Sequence, residues 1–112
     1  MNHEEIIQIF RATGIPYKQG RAQKQWHQVR FFGLGTGHSL NLGYSIPEGY
    51  FVADFVFKAF ASEVNIGQCT AFSTLYGGEA RVSKTAFCRV LISLNDTIRL
   101  HRLIAGYWAI QL

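Results

Sequence analysis

The chain has 112 residues and a formal net charge of +4, enough for one domain and no second. Apolar residues make up 48% and charged residues 16%, below the roughly 25% usual for charged residues, which excludes a disordered chain. Two prolines and no biased run exclude low-complexity sequence as well.

The start, Met-Asn-His-Glu-Glu, lacks the basic and apolar regions of a secretory signal. The longest apolar stretch, Leu103 to Ile110, is too short to span a bilayer. Cys69 and Cys88 form neither a CxxC pair nor a disulfide framework, and read as reduced core residues. The expectation is a cytoplasmic protein with no membrane association.

The first predicted element is a helix. Asn2 and Glu5 are spaced as in a capping box, and Ile6, Ile7, Ile9 and Phe10 follow at helical spacing. Gly14 suits the left-handed position after the helix, Ile15 can fold back, and Pro16 forbids continuation. Residues 18–25 have no apolar period and read as an exposed basic loop. His27 to Phe32 reads as a strand with aromatic content on both faces. Leu40, Leu42, Tyr44 and Ile46 then alternate with polar or small residues, and the two strands form a hairpin across Gly33–Gly37.

Residues 50–61 decide the architecture. Their β-branched and aromatic content favours a strand, apolar on both faces. Val52, Phe55, Val56, Ala59 and Phe60 also make a helical stripe, preceded by a capping-box-like Ser45-Ile-Pro-Glu48. Gln68 to Tyr76 is expected as a strand, turning at Gly77-Gly78. Ala80 to Leu94 then keeps apolar residues on one face, broken only by Lys84, and Asn95-Asp96 makes a turn. After that turn, Gly106 and the aromatics favour a strand over a helix for residues 97–112.

The resulting fold class is α+β: an N-terminal helix packed on a curved, mostly antiparallel sheet of five or six strands. If residues 50–61 were a buried helix, the sheet would wrap round it as in hotdog folds, which host acyl-thioester hydrolases and dehydratases. Element order alone carries that analogy, since the His-Gly-Gly motif is absent.

Motifs for chemistry are sparse. Gly33-Leu-Gly-Thr-Gly-His38 lacks the endings of a dinucleotide or Walker loop and precedes a strand, so it offers no helix terminus to a phosphate. His3, His27, His38 and His101 have no paired metal-ligand spacing, and neither a metal nor a cofactor is expected. His27 and His38 could face each other across the first hairpin with Cys88 nearby as a nucleophile, but no orienting group is recognisable. Asp54, inside an apolar run, is the best candidate acid or base, with Glu48 second; its bland role is a surface pair with Lys58.

Three functions follow from these residues. The first is a non-catalytic binding module, homodimeric, holding a small organic ligand in an apolar groove lined by Trp26, Phe31, Tyr44, Phe55 and Trp108. Its basis is nine phenylalanines, five tyrosines and two tryptophans, more aromatic surface than one small domain hides. The second is a hotdog-like acyl-thioester enzyme using Asp54 or Glu48, which requires residues 50–61 to be helical. The third is single-stranded nucleic-acid binding by Lys18, Arg21, Lys24 and Arg30 beside Trp26; the RNA-binding octapeptide is absent, and a solvated basic face is the expectation.

Overall fold

The computed structural model describes residues 1–32, 38–57, 63–82 and 86–111. Helix α1 spans His3–Ala12 and starts in the predicted capping box: the Glu5 N–H donates to Asn2 Oδ1 at 2.9 Å, and the Asn2 N–H donates to the Glu5 carboxylate at 3.4 Å. Gly14, at φ +69°, turns the chain so that Ile15 returns to the core. Ile6 and Phe10 are fully buried beneath the helix, each worth about 1.5–3 kcal/mol of burial.

The sheet holds β1 (Tyr17–Gln19), β2 (His27–Phe32), β3 (Ser39–Ser45), β4 (Tyr50–Phe57), β5 (Glu79–Val82) and β6 (Ala86–Ser93). All neighbours are antiparallel, in the order β1-β2-β3-β4-β6-β5, and the sheet stays open. Lys18 and Gln19 belong to β1 and not to the expected loop. Tyr17, packed on Phe10 and Phe31 at ring distances of 6.2 and 5.7 Å, is the anchor that draws this polar segment onto the edge.

Residues 50–57 are a strand. Phe51, Ala53, Phe55 and Phe57 are buried while Tyr50, Val52, Asp54 and Val56 are half-buried, a period of two that no helix gives. The alternative with a helix inside a wrapped sheet is thereby overturned. Residues 33–37, 58–62 and 83–85, with the glycine-rich turn, Lys58 and Lys84, lie outside the described residues.

Two expected strands are helices. Helix α2 covers Glu63–Tyr76, and Gly77 at φ +71° ends it where a hairpin turn was expected. Asn65 and Ser73 are buried on it while Val64 and Leu75 stand exposed, so its apolar stripe is blurred and the period gave no helical signal. Helix α3 covers Thr97–Gln111. Asp96 starts it: its carboxylate accepts from the Arg99 N–H at 3.2 Å, and its carbonyl accepts from the Leu100 N–H at 3.2 Å. Leu100, Leu103, Ile104 and Tyr107 form the buried stripe. Gly106 argued against this helix in the sequence; it is there because the Tyr76 ring lies where a β-carbon would stand.

All three helices cover one face of the sheet. Phe10 of α1 meets Phe51 at 6.4 Å, Phe72 of α2 meets Phe55 at 4.5 Å, and Tyr107 of α3 meets Phe55 at 5.2 Å. The Tyr107 hydroxyl donates to the Phe31 carbonyl at 3.1 Å, tying α3 across to β2. No helix among the described residues is long and apolar enough to cross a membrane.

Candidate functional site on the uncovered sheet face

The face of the sheet opposite the helices carries a row of polar side chains running through all six strands. The register aligns Lys18 (β1), Arg30 (β2), Asn41 (β3), Asp54 (β4), Arg89 (β6) and Glu79 (β5). Arg30 Nε donates to Asn41 Oδ1 at 2.9 Å. Arg89 grips Asp54 with two bonds, Nε to Oδ1 at 2.8 Å and Nη2 to Oδ2 at 3.0 Å. The next row, Gln28, Gly43, Val52 and Leu91, has a gap at Gly43, over which the Gln28 amide lies: a β-carbon there would press on Gln28 Nε2 at 3.3 Å.

The segment between β1 and β2 overhangs this floor. Gln23 and Trp26 exchange backbone hydrogen bonds at 2.9 Å, and Lys24 turns the tip at φ +54°, a left-handed conformation costing a lysine roughly 1–2 kcal/mol. Gln25 Nε2 donates to the Glu48 carboxylate at 2.8 Å, and the Trp26 ring meets Tyr50 edge-on at 5.5 Å; both contacts fix the overhang. A groove of about 490 Å³ lies beneath Gln23, Lys24 and Trp26, with Gln28, Asn41, Gly43, Val52, Asp54 and Arg89 forming its floor. That is the size of an ordinary small-molecule site.

Of the candidates from the three sequence-based readings, Trp26, Lys24 and Asp54 line this groove, while Lys18 and Arg30 stand on the same sheet face beside it, lining a neighbouring cleft. Exposed Arg21 belongs to the same overhanging segment. Both Asp54 oxygens are taken by Arg89, and the Glu48 carboxylate by Gln25, so neither stands as an unengaged base. The Glu48 N–H donates to Ser45 Oγ at 3.2 Å, so half of the suggested capping box forms, but Gly49 at φ +82° turns the chain into β4.

The expected aromatic lining is corrected. Phe31, Tyr44 and Phe55 are 0%, 3% and 0% exposed, packed between sheet and helices, because their strands turn those positions inward. Trp108 is half-buried against the core from α3, on the helical side. Of the five candidates, Trp26 alone lines the groove.

His27 and His38, which could have faced each other across the first hairpin, lie at opposite ends of β3. His27 stands against Tyr44, stacked at 5.1 Å, whereas His38 lies edge-on to Phe55 and Phe57 at 6.0 and 5.5 Å. His27 instead meets His3 of α1 at a ring distance of 4.2 Å, and His3 Nδ1 lies 3.4 Å from the Tyr44 hydroxyl. Burial, followed by the nearby His3 charge, lowers the His27 pKa. No local spacing in the sequence could have grouped three residues from α1, β2 and β3.

Cys88 is fully buried, an environment that disfavours the thiolate. Burial, then the charges of Cys69 and Asp54, push its thiol up to about 12. Cys69 is buried beside it and donates to the Phe87 carbonyl at 2.9 Å. Among the described residues no three His, Cys, Asp or Glu side chains converge to hold a metal ion. Compared with known proteins, the chain matches no family model, no curated protein and no solved structure.

Proposed function

We propose that this protein is a small non-catalytic binding module that takes a planar, polar organic ligand in the groove beneath Trp26. The observation that supports the reading is the sheet face opposite the helices, where a hydrogen-bonded polar row and an overhanging aromatic segment border an open, ligand-sized groove. Trp26 supplies an apolar wall, Gln23, Gln28 and Asn41 supply amide donors and acceptors, and Lys24 supplies a cation at the mouth. Native mass spectrometry of protein purified from its host identifies the ligand. Trp26→Ala should then weaken binding at least tenfold, and unchanged affinity in that variant would remove the reading.

The homodimer belongs to the same proposal. All four residues of the edge strand β5 are exposed, and the segment Glu79-Ala80-Arg81 is self-complementary: antiparallel pairing about Ala80 would set each Glu79 against a second copy's Arg81, exchanging the exposed pair that the two make at 3.4 Å within one chain. Size-exclusion with light scattering should give a dimer that Arg81→Glu converts to monomer. A clean wild-type monomer at micromolar concentration would count against it.

A second reading, single-stranded nucleic acid on the same face, is favoured by the placement of Lys18, Lys24, Arg30 and Trp26 together on it. Contacts with four phosphates give a log–log salt slope of roughly −3, and replacing Lys18, Arg21 and Lys24 by Gln flattens it by about two. Affinity no better than millimolar at physiological salt leaves the small-ligand reading alone.

A further inference from the structure

On the other side of the molecule, α2 and α3 leave a groove between them. Two contiguous cavities of about 630 and 370 Å³ share Leu75, Tyr76 and Gly106. The smaller part is almost wholly apolar, walled by Ala71, Phe72 and Leu75 of α2 and by Gly106 and Ala109 of α3. Its floor is fixed by the Tyr76 ring, which lies on Gly106 and donates its hydroxyl to the Arg102 carbonyl at 3.0 Å.

The two ends of the groove differ in charge. Arg99 and Arg102 line one end. The Arg99 guanidinium donates only to the neutral carbonyls of Tyr76 and Leu91, and Arg102 makes no ion pair among the described residues. The far end, walled by Ala71, Phe72 and Ala109, carries no charged side chain. From Arg99 to Ala109 the helix rises roughly 15 Å, about the reach of an extended ten- to twelve-carbon chain.

We propose that this groove binds a medium-chain aliphatic carboxylate, its chain laid along Ala71, Leu75 and Ala109 and its anionic head held by Arg99 and Arg102. A neutral alcohol of the same length fits the walls but leaves both cations unpaired. A cationic amphiphile meets them with like charge.

Calorimetric titration with dodecanoate, kept below its critical micelle concentration, tests the site. Dodecanoate should bind saturably at one per chain, at least tenfold tighter than 1-dodecanol and tighter still than dodecyltrimethylammonium. Arg102→Gln, at an exposed position with no side-chain partner to lose, should cost dodecanoate most of its advantage over dodecanol, Arg99 keeping the rest, and leave dodecanol unchanged. Ala71→Leu, which fills the exposed wall, should weaken both. Trp26→Ala, on the opposite face, should alter neither, which separates this site from the groove beneath Trp26. Dodecanoate binding only at micellar concentration, equal affinity for the cationic amphiphile, or an Arg102→Gln variant that binds dodecanoate as wild type would overturn the proposal.

Discussion

Arg89 and Asp54 face each other from β6 and β4, joined by two hydrogen bonds of 2.8 and 3.0 Å at the centre of the polar row. Arg89 is about half exposed, so solvent screens the pair; ideal bidentate geometry places it near the top of the range for surface pairs. A double-mutant cycle of Asp54→Asn and Arg89→Gln, read from urea unfolding, should give a coupling of about 0.5–1 kcal/mol that shrinks in 1 M salt. Coupling indistinguishable from zero would show that the row is not held by this pair.

The pH dependence of stability should carry the signature of His27. Its folded pKa lies below the ordinary 6.5, by burial first and by the His3 charge second. The unfolded chain therefore binds more protons than the folded one between that lowered value and 6.5, and stability is lost as pH falls through this window. The urea midpoint should drop between pH 7.5 and pH 5.5, and His27→Gln should flatten the drop. His3→Gln should flatten it less, because the charge of His3 is the smaller cause.

Gly106→Ala reverses the usual sign of a helical glycine replacement. In open helix the change stabilises by roughly 1 kcal/mol; here the new methyl meets the Tyr76 hydroxyl and ring. A loss of about 1–3 kcal/mol is expected from overpacking. Adding Tyr76→Ala should make the second alanine stabilising or neutral, and thermal melts of the single and double variants measure this directly.

Neither cysteine should react in the native protein. Both thiols are buried with raised pKa values, Cys88 to about 12. With a thiol-specific disulfide reagent at pH 8, labelling should follow the rate of unfolding, and in denaturant both cysteines should label at once. Fast native labelling of either would contradict the packing of α2 against β6.

Where one signal sufficed, the sequence was readable. Helix α1 has its cap, its stripe and its stop in fifteen consecutive positions, Asn2 to Pro16, and the residues of β3 alternate apolar with polar or small. The α+β class follows from such segments, but the six strands are not all the ones expected: β1 lies in the expected basic loop, Ala80 to Leu94 divides into β5 and β6, and two expected strands are α2 and α3. Helices α2 and α3 escaped because tertiary contact overrides the local pattern: Asn65 and Ser73 turn inward, Val64 and Leu75 turn outward, and Gly106 serves Tyr76. The groove beneath Trp26 was legible only as a list of residues. Its polar row is made by register, joining Lys18 to Glu79 through four intervening strands, and register between distant strands is set by turns and packing that no short window contains.

The strand order also divides the molecule in time. Strands β1 to β4 pair with their nearest neighbours in the chain, so α1 and this meander need only short loops to assemble. Strand β6 must pair with β4, setting Phe57 against Ala86, and that contact closes a loop carrying α2 and β5. The entropy of this closure comes before its contacts repay it, so the docking of β6, with β5, α2 and α3, is expected to be the slow step of folding, which stopped-flow refolding measures. Weakening substitutions in β6 should consequently slow folding, whereas substitutions at the α1–β2 contact of Phe10 and Phe31 act on a segment already formed and leave the docking barrier unchanged.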